Sequence, residues 1–302
     1  MIARLSQFLR NTLPLVFALV LVVGIFAYSA GQFVRPSAPT DVIEGQAGWL
    51  YPGWDRLAED ETENTDLGIA RVQAAQEQLA GRGVDLVVLV IPAKVRIGQK
   101  NLPVAIRQDV GASNGYNELI ANLKHAGITV FDASPRLKAR EEAGESTFSP
   151  RDSHWTAPAA EAVANDLAEM IASRTKITMH PTADGLGKWK TETRYSDLVA
   201  LLRKRGDQRF GKDQFDIRAY TEERSGDPRI LVLGNSFVET IYGLPRYLSH
   251  ALGTPVGFIA EYGAEGPWKA MTRALEKGNY PKLIVWQLQE ASFANNPPPE
   301  GG

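Results

Sequence analysis

"RILVLGNSFVET", residues 229–240, decides how this chain is read. Four apolar residues, Ile230 to Leu233, run into Gly234-Asn235-Ser236, and a new apolar pattern begins at once. The stretch predicts a central strand, a sharp turn and a helix. In an open α/β sheet the functional crevice lies at the carboxyl ends of the strands. Ser236 would present its hydroxyl there, with N–H groups at the helix start available to an oxyanion. The Gly-x-Ser-x-Gly elbow pattern is absent, and Gly-Asn-Ser also serves as plain turn chemistry.

The same rhythm extends on both sides. "DLGIARVQAAQEQLAGRG" (66–83) has helical apolar spacing and "VDLVVLVIP" (84–92) is the continuous apolar run of a doubly covered strand. "YNELIANLKHAG" (116–127), "ITVFDA" (128–133) and "APAAEAVANDLAEMIASRT" (157–175) read as helix, strand, helix. "VETIYGLPRYLSHALG" (238–253) reads as a Pro-interrupted helix, followed by strand "PVGFIA", helix "WKAMTRALEKG" and strand "KLIVWQLQE". Such alternation predicts an α/β domain with a largely parallel central sheet. The polar stretch from about 180 to 227 breaks the rhythm and reads as a surface excursion. Its "RKR" at 203–205 reads as a solvated helix end.

The 302 residues carry a net charge of -2 and no cysteine. A near-neutral balance gives no electrostatic footprint for nucleic acid. Absence of cysteine excludes thiol nucleophiles, disulfides and Cys-based zinc sites. "MIARLSQFLRNT" (1–12), with Arg4, Arg10 and no acid, leads into the apolar "LPLVFALVLVVGIFAYSA" (13–30). This pattern predicts a transmembrane helix whose flanking charges send the bulk of the protein outward. Ala27 and Ser29 also permit signal-peptide cleavage. The expected organisation is a cytoplasmic start and anchor or signal segment at 1–30, a linker at 31–41, one catalytic domain at 42–293 and a disordered tail at 294–302. The expected location is the periplasm, anchored in the inner membrane.

A serine needs a base, and the chain has four histidines: His125, His154, His180 and His250. Only His154, in "RDSHWTAP" (151–158), has a carboxylate two residues away. On an extended segment residues i and i+2 share a face, so Asp152 and His154 point together just before a helix that Thr156 caps and Pro158 enters. Aspartate beside histidine can hold one imidazole nitrogen and free the other for proton transfer. The same pair also fits surface polarity, and a metal site lacks a second set of ligands in the sequence.

Together the pieces resemble a known family. "DSHWTAPAA" and "LVLGNSF" are similar to the two signatures of the AlgJ/AlgX type of alginate O-acetyltransferases, whose catalytic domains are SGNH-hydrolase-like. "GWLYPG" (48–53), "LVIPAK" (89–94) before "NLP", and "IVWQLQE" (284–290) keep the same order. The resemblance implies an SGNH-hydrolase-like three-layer domain with Ser236 as nucleophile, His154 as base and acid, and Asp152 as the group that orients it. It implies an acyl-serine intermediate, a polysaccharide acceptor, and a membrane-bound O-acyltransferase as acetyl donor; no cofactor and no metal are expected. Two departures stand out: "QLQEASF" (287–293) lacks a basic residue after its glutamate, and no carbohydrate-binding module follows.

Asn235 and the N–H groups of Ser236 and Phe237 are the oxyanion-hole candidates. Trp155, Tyr262 and Trp268 are the candidates for holding a sugar; Trp49, Trp54 and Trp189 are further aromatics able to stack. Two other readings stay open at this point: an esterase using the same residues, and a polysaccharide-binding subunit without catalysis.

Overall fold

The computed structural model describes residues 42–55, 62–175, 179, 186–220, 229–239, 241–263, 265–276 and 280–294. All belong to one compact unit, Asp41–Gly302. The anchor, the linker, His180 and residues 295–302 of the tail lie outside the described residues. Among the described residues no helix is long and apolar enough to cross a membrane.

Strands β1 (Val42–Glu44) and β2 (Leu50–Pro52) form a small antiparallel pair. Helix α1 (Thr62–Ala80) leads to β3 (Asp85–Ile91), then short α2 (Lys94–Ile97), α3 (Val104–Ala112), α4 (Gly115–His125) and β4 (Val130–Asp132). α5 (Ser134–Glu142) and α6 (Ala157–Arg174) follow, then β5 (Leu186–Arg194), α7 (Asp197–Lys204) and β6 (Asp213–Tyr220). β7 (Ile230–Gly234), α8 (Leu244–Leu252), β8 (Val256–Ala260), α9 (Gly266–Glu276), β9 (Leu283–Gln289) and α10 (Glu290–Ala294) complete the order.

Five strands build the central sheet in the order β4-β3-β9-β7-β8, every pair parallel. Because successive side chains on a strand face opposite sides, β3 divides its apolar run between two cores. Val87, Leu89 and Ile91 meet Val163, Leu167 and Ile171 of α6 and Leu248 of α8. Leu86, Val88 and Val90 meet Val72 and Leu79 of α1, Leu123 of α4 and Met271 of α9. The result is the three-layer α/β arrangement expected from the alternation. Burying apolar surface on both faces explains why these strands read as unbroken apolar runs.

One expectation is filled in and another is corrected. The stretch following residue 180 holds a two-stranded antiparallel hairpin, β5–β6, with α7 between its strands. Most of β5 is exposed or half-buried, so neither face is selected for apolar residues and the alternation that marks a strand is missing. The helix expected from Val238 begins at Leu244. Gly243 adopts φ 77° there, a left-handed conformation that glycine accepts without strain. The backbone after Asn235 instead makes a single tight turn at Ser236–Val238.

Candidate active site

The carboxyl edge of the sheet gathers Ala93-Lys94 after β3, Asn235-Ser236 after β7, Glu261-Tyr262 after β8 and Glu290 after β9. Gly234 ends β7 where Gln287 of β9 crosses. A Cβ on Gly234 would lie 2.3 Å from Gln287 Oε1 and 2.9 Å from Val238 Cγ1. The bare backbone lets the Asn235 N–H donate to Gln287 Oε1 at 3.1 Å, while Asn235 Nδ2 donates to Gln289 Oε1 at 2.8 Å. Two glutamines of the central strand thus hold the turn that presents Ser236.

The 149–156 segment approaches from the α6 side. Thr156 caps α6, accepting the Ala159 N–H at 3.3 Å. Asp152 and His154 sit just ahead, both buried. Asp152 Oδ1 and His154 Nδ1 are 2.6 Å apart, and His154 Nε2 and Ser236 Oγ are 2.7 Å apart. With the Nδ1 proton donated to the carboxylate, Nε2 accepts from the serine hydroxyl. The imidazole is clamped between Tyr242, stacked at 4.6 Å, and Phe237 at 4.8 Å.

Asp152 is held further by the His154 N–H at 3.1 Å, the Asp197 N–H at 3.0 Å and the Tyr242 hydroxyl at 3.4 Å. Burial alone would raise its pKa, but the hydrogen bonds and the facing imidazole hold it down at about 2. The second carboxylate, Asp197, accepts from the Ser153 N–H at 2.8 Å and from the Ser153 hydroxyl, and lies 3.7 Å from His154 Nδ1. Burial and the Asp152 charge push it upward. Burial and Asp152 also push the Tyr242 phenol up, so it stays a donor.

Asp152, His154 and Asp197 offer three ligand-type atoms within 4.8 Å of one another. The Nδ1 of His154 is engaged with Asp152 and its Nε2 with Ser236, so the imidazole geometry present is that of a proton relay.

Lys94 explains how the loop is carried. Its buried ammonium donates to the carbonyls of Leu50, Ser149, Pro150 and Asp152 at 2.7–3.0 Å. Trp49 and Tyr51 each face it at 5.2 Å. Burial pulls its pKa down to about 7, against the attraction of Asp152, Asp197 and Asp55. Asp55 accepts the Lys94 N–H at 2.7 Å, and burial raises this acid to about 7. The basic partner absent after Glu290 comes from α2 instead: Arg96 Nε donates to its carboxylate at 2.6 and 2.8 Å, and the Ala93 N–H adds a bond at 3.1 Å.

The remaining candidates separate. The Phe237 N–H is spent on Asn235 Oδ1 at 3.1 Å and is not free for an oxyanion. Among the described residues no backbone partner occupies the Ser236 N–H, and Asn235 Nδ2 retains a second hydrogen. Trp155 and Trp268 are fully buried. Trp155 packs edge-on to Phe237 at 5.5 Å, and Trp268 packs on Trp286 at 5.2 Å, so neither offers an open ring face; their bulk is used to close the two cores. Tyr262 is 72% exposed and pairs with Glu239 just past the Ser236 turn. Lys94, Asp197 and Tyr242 carry no local signal that marks them: each reaches Asp152 across 45 to 90 residues of chain.

A parallel sheet covered on both faces, with this serine, histidine and aspartate at its carboxyl edge, places the molecule in the SGNH hydrolase-like class. Residues 42–290 match the family model described as "SGNH hydrolase-like domain, acetyltransferase AlgX", and the chain belongs to that family. It is 28% identical over 269 residues to the probable alginate O-acetylase AlgJ of Pseudomonas fluorescens, covering 82% of this chain and 67% of that one. The alginate biosynthesis protein AlgX of Pseudomonas aeruginosa is 24% identical over 272 residues, 82% of this chain but 56% of its own length. The O-acetyltransferase domain of Pseudomonas putida AlgJ shares the fold, with a TM-score of 0.70 at 22% identity, covering 86% of this chain and 95% of that domain.

Proposed function

We propose that the chain is an O-acetyltransferase that carries an acetyl group on Ser236 and delivers it to a hydroxyl of an exported polysaccharide. The observation that carries this reading is the unbroken hydrogen-bond series Asp152–His154–Ser236, at 2.6 and 2.7 Å, in a member of an acetyltransferase family.

His154 Nε2 takes the Ser236 proton as Oγ attacks the acetyl carbonyl of the donor, and Asp152 stabilises the imidazolium. The oxyanion is met by the Ser236 N–H and the second hydrogen of Asn235 Nδ2. Collapse expels the donor's alcohol, which leaves with the proton from His154, and acetyl-serine remains. A sugar hydroxyl then gives its proton to His154 and attacks the ester; a second collapse returns the proton to Ser236 Oγ and releases the acetylated sugar.

The acceptor class rests on the relatives, whose names place one in alginate O-acetylation and the other in alginate biosynthesis. The N-terminal segment, read as an anchor in the inner membrane, puts the domain in the periplasm beside a membrane-bound O-acyltransferase that supplies the acetyl group. The test offers a chromogenic acetyl ester and sugar oligomers to the protein and follows acetyl on the sugars by mass spectrometry. Acetylated oligomers that disappear in Ser236→Ala support the reading; acetylation that survives the substitution rejects it.

A further inference from the structure

The polar stretch that interrupts the α/β rhythm brings a second acid to His154. α7 lies between β5 and β6, outside the five-stranded sheet, and hydrogen bonds fasten its start to the loop that carries the imidazole. Arg151 Nε donates to Asp213 Oδ1 at 2.7 Å, and the Ser196 hydroxyl donates to the other oxygen of that carboxylate. The Asp197 N–H donates to Asp152 Oδ2 at 3.0 Å, and the Ser153 N–H returns a bond to Asp197 Oδ1 at 2.8 Å.

These bonds fix the orientation of the Asp197 carboxylate. Oδ1 also accepts the Leu198 N–H at 2.7 Å, which leaves Oδ2 for the imidazole side. Oδ2 lies 3.7 Å from His154 Nδ1, and the Ser153 hydroxyl bridges the two, donating to Oδ2 with its oxygen 3.3 Å from Nδ1. The Nδ1 proton goes to Asp152, at 2.6 Å. What Asp197 adds is a second negative charge at the same nitrogen. Its side chain is 36% exposed against 4% for Asp152, so water screens it more and its effect is the smaller one.

Other charged and titratable groups face the cluster from neighbouring elements. Tyr242 stacks on the imidazole, Arg194 of β5 sits 6.0 Å over the Tyr242 ring, and Lys94 of α2 holds the carbonyls of Ser149 and Asp152. Both cations oppose a positive imidazole. Asp197 is placed to offset them.

We infer that Asp197 is a positioning residue for acyl transfer: as a second carboxylate at His154 Nδ1, it stabilises the imidazolium that forms when Ser236 gives up its proton, and it does so independently of Asp152. The inference rests on the transferase reading for the roles of Ser236 and His154.

The test uses the full chain and the isosteric Asp197→Asn, whose amide oxygen still accepts the Ser153 and Leu198 N–H groups. The imidazole resonances of His154, assigned by their loss in His154→Gln, are titrated by NMR. Their midpoint should fall by roughly one pH unit in Asp197→Asn, because removing a neighbouring negative charge disfavours the protonated ring. With a chromogenic acetyl ester, kcat should fall roughly tenfold at unchanged KM, and the acid limb of the pH profile should move to lower pH with the NMR midpoint. Adding Asp197→Asn to Asp152→Ala should lower kcat roughly fivefold or more again. An unmoved midpoint, even with a lower rate, would leave Asp197 a mere tether of α7 and overturn the inference, as would an unchanged kcat or a double variant no slower than Asp152→Ala. The NMR titration needs no turnover, so the two readings fail separately. A shifted midpoint in a chain whose Ser236 acquires no acetyl group supports the coupling of Asp197 to His154 and sinks the transferase reading; acetyl on Ser236 with an unmoved midpoint sinks the inference alone.

Discussion

The Nζ of Lys94 donates a hydrogen bond to the backbone carbonyl of Asp152 at 2.8 Å, tying the end of β3 to the residue that orients His154. Three other carbonyls share the same ammonium. Lys94→Met keeps the length of the side chain and removes the donor, so buried carbonyls lose their partner. The variant should lose about 3 kcal/mol of stability in urea unfolding, and at temperatures where it remains folded its acyl transfer should fall as well. Full activity in a folded Lys94→Met protein would show that the loop holds Asp152 by itself.

Asp152 contributes to stability with a defined pH window. Its folded pKa is about 2 against an ordinary 3.8. The folded carboxylate is favoured, so the contribution is complete above pH 4 and disappears as pH falls through the folded value. The depression corresponds to about 2 kcal/mol. The stability difference between wild type and Asp152→Asn should therefore be largest near neutrality and shrink between roughly pH 4 and 2. A difference independent of pH over that range contradicts the assignment. The same substitution should lower turnover by roughly a thousandfold or more, because the amide no longer selects the tautomer with Nε2 free.

Glu290 is buried and held by Arg96 and by the Ala93 N–H. Burial pushes its pKa up, and the guanidinium opposes that. Arg96→Ala strands the acid and should cost about 3 kcal/mol, whereas Glu290→Gln, which removes the charge, should cost clearly less. Equal losses in chemical denaturation would mean the pair is not acting as a charged unit.

Gly234→Ala places a methyl group within 2.3 Å of Gln287 Oε1. That glutamine must move, releasing the Asn235 N–H and tilting the turn that presents Ser236. Acyl-serine formation should drop roughly tenfold or more. Wild-type rates would show that the turn is held independently of Gln287.

Much of the architecture was legible because burial on both faces writes a strand as a continuous apolar run: Val84–Pro92, Ile230–Leu233 and Lys282–Glu290 all contain sheet strands. The hairpin after residue 180 was not, since β5 is largely exposed and burial imposes no pattern on it. Of the site, Asp152 and His154 were readable because they are neighbours in sequence, and Ser236 because its turn is. Lys94 was quoted within a motif, but its role is a contact with the 149–152 loop more than fifty residues away. Asp197 lies in the polar stretch that hides its own secondary structure. The oxyanion reading missed that Asn235 spends its Oδ1 on Phe237, which depends on a tight turn where a helix was expected. Aromatic residues misled for a simple reason: composition does not separate Trp268, sealed against Trp286, from Trp189, which is open to solvent.

The most direct test of acyl transfer through Ser236 is mass spectrometry of the peptide containing Ser236 after rapid quenching of the protein with a chromogenic acetyl ester. One acetyl group should form on Ser236 in the wild type and be absent in His154→Ala and Ser236→Ala. Turnover of the ester without acetyl on Ser236, or acetylation of Ser236 that persists at the wild-type rate in His154→Ala, would contradict it.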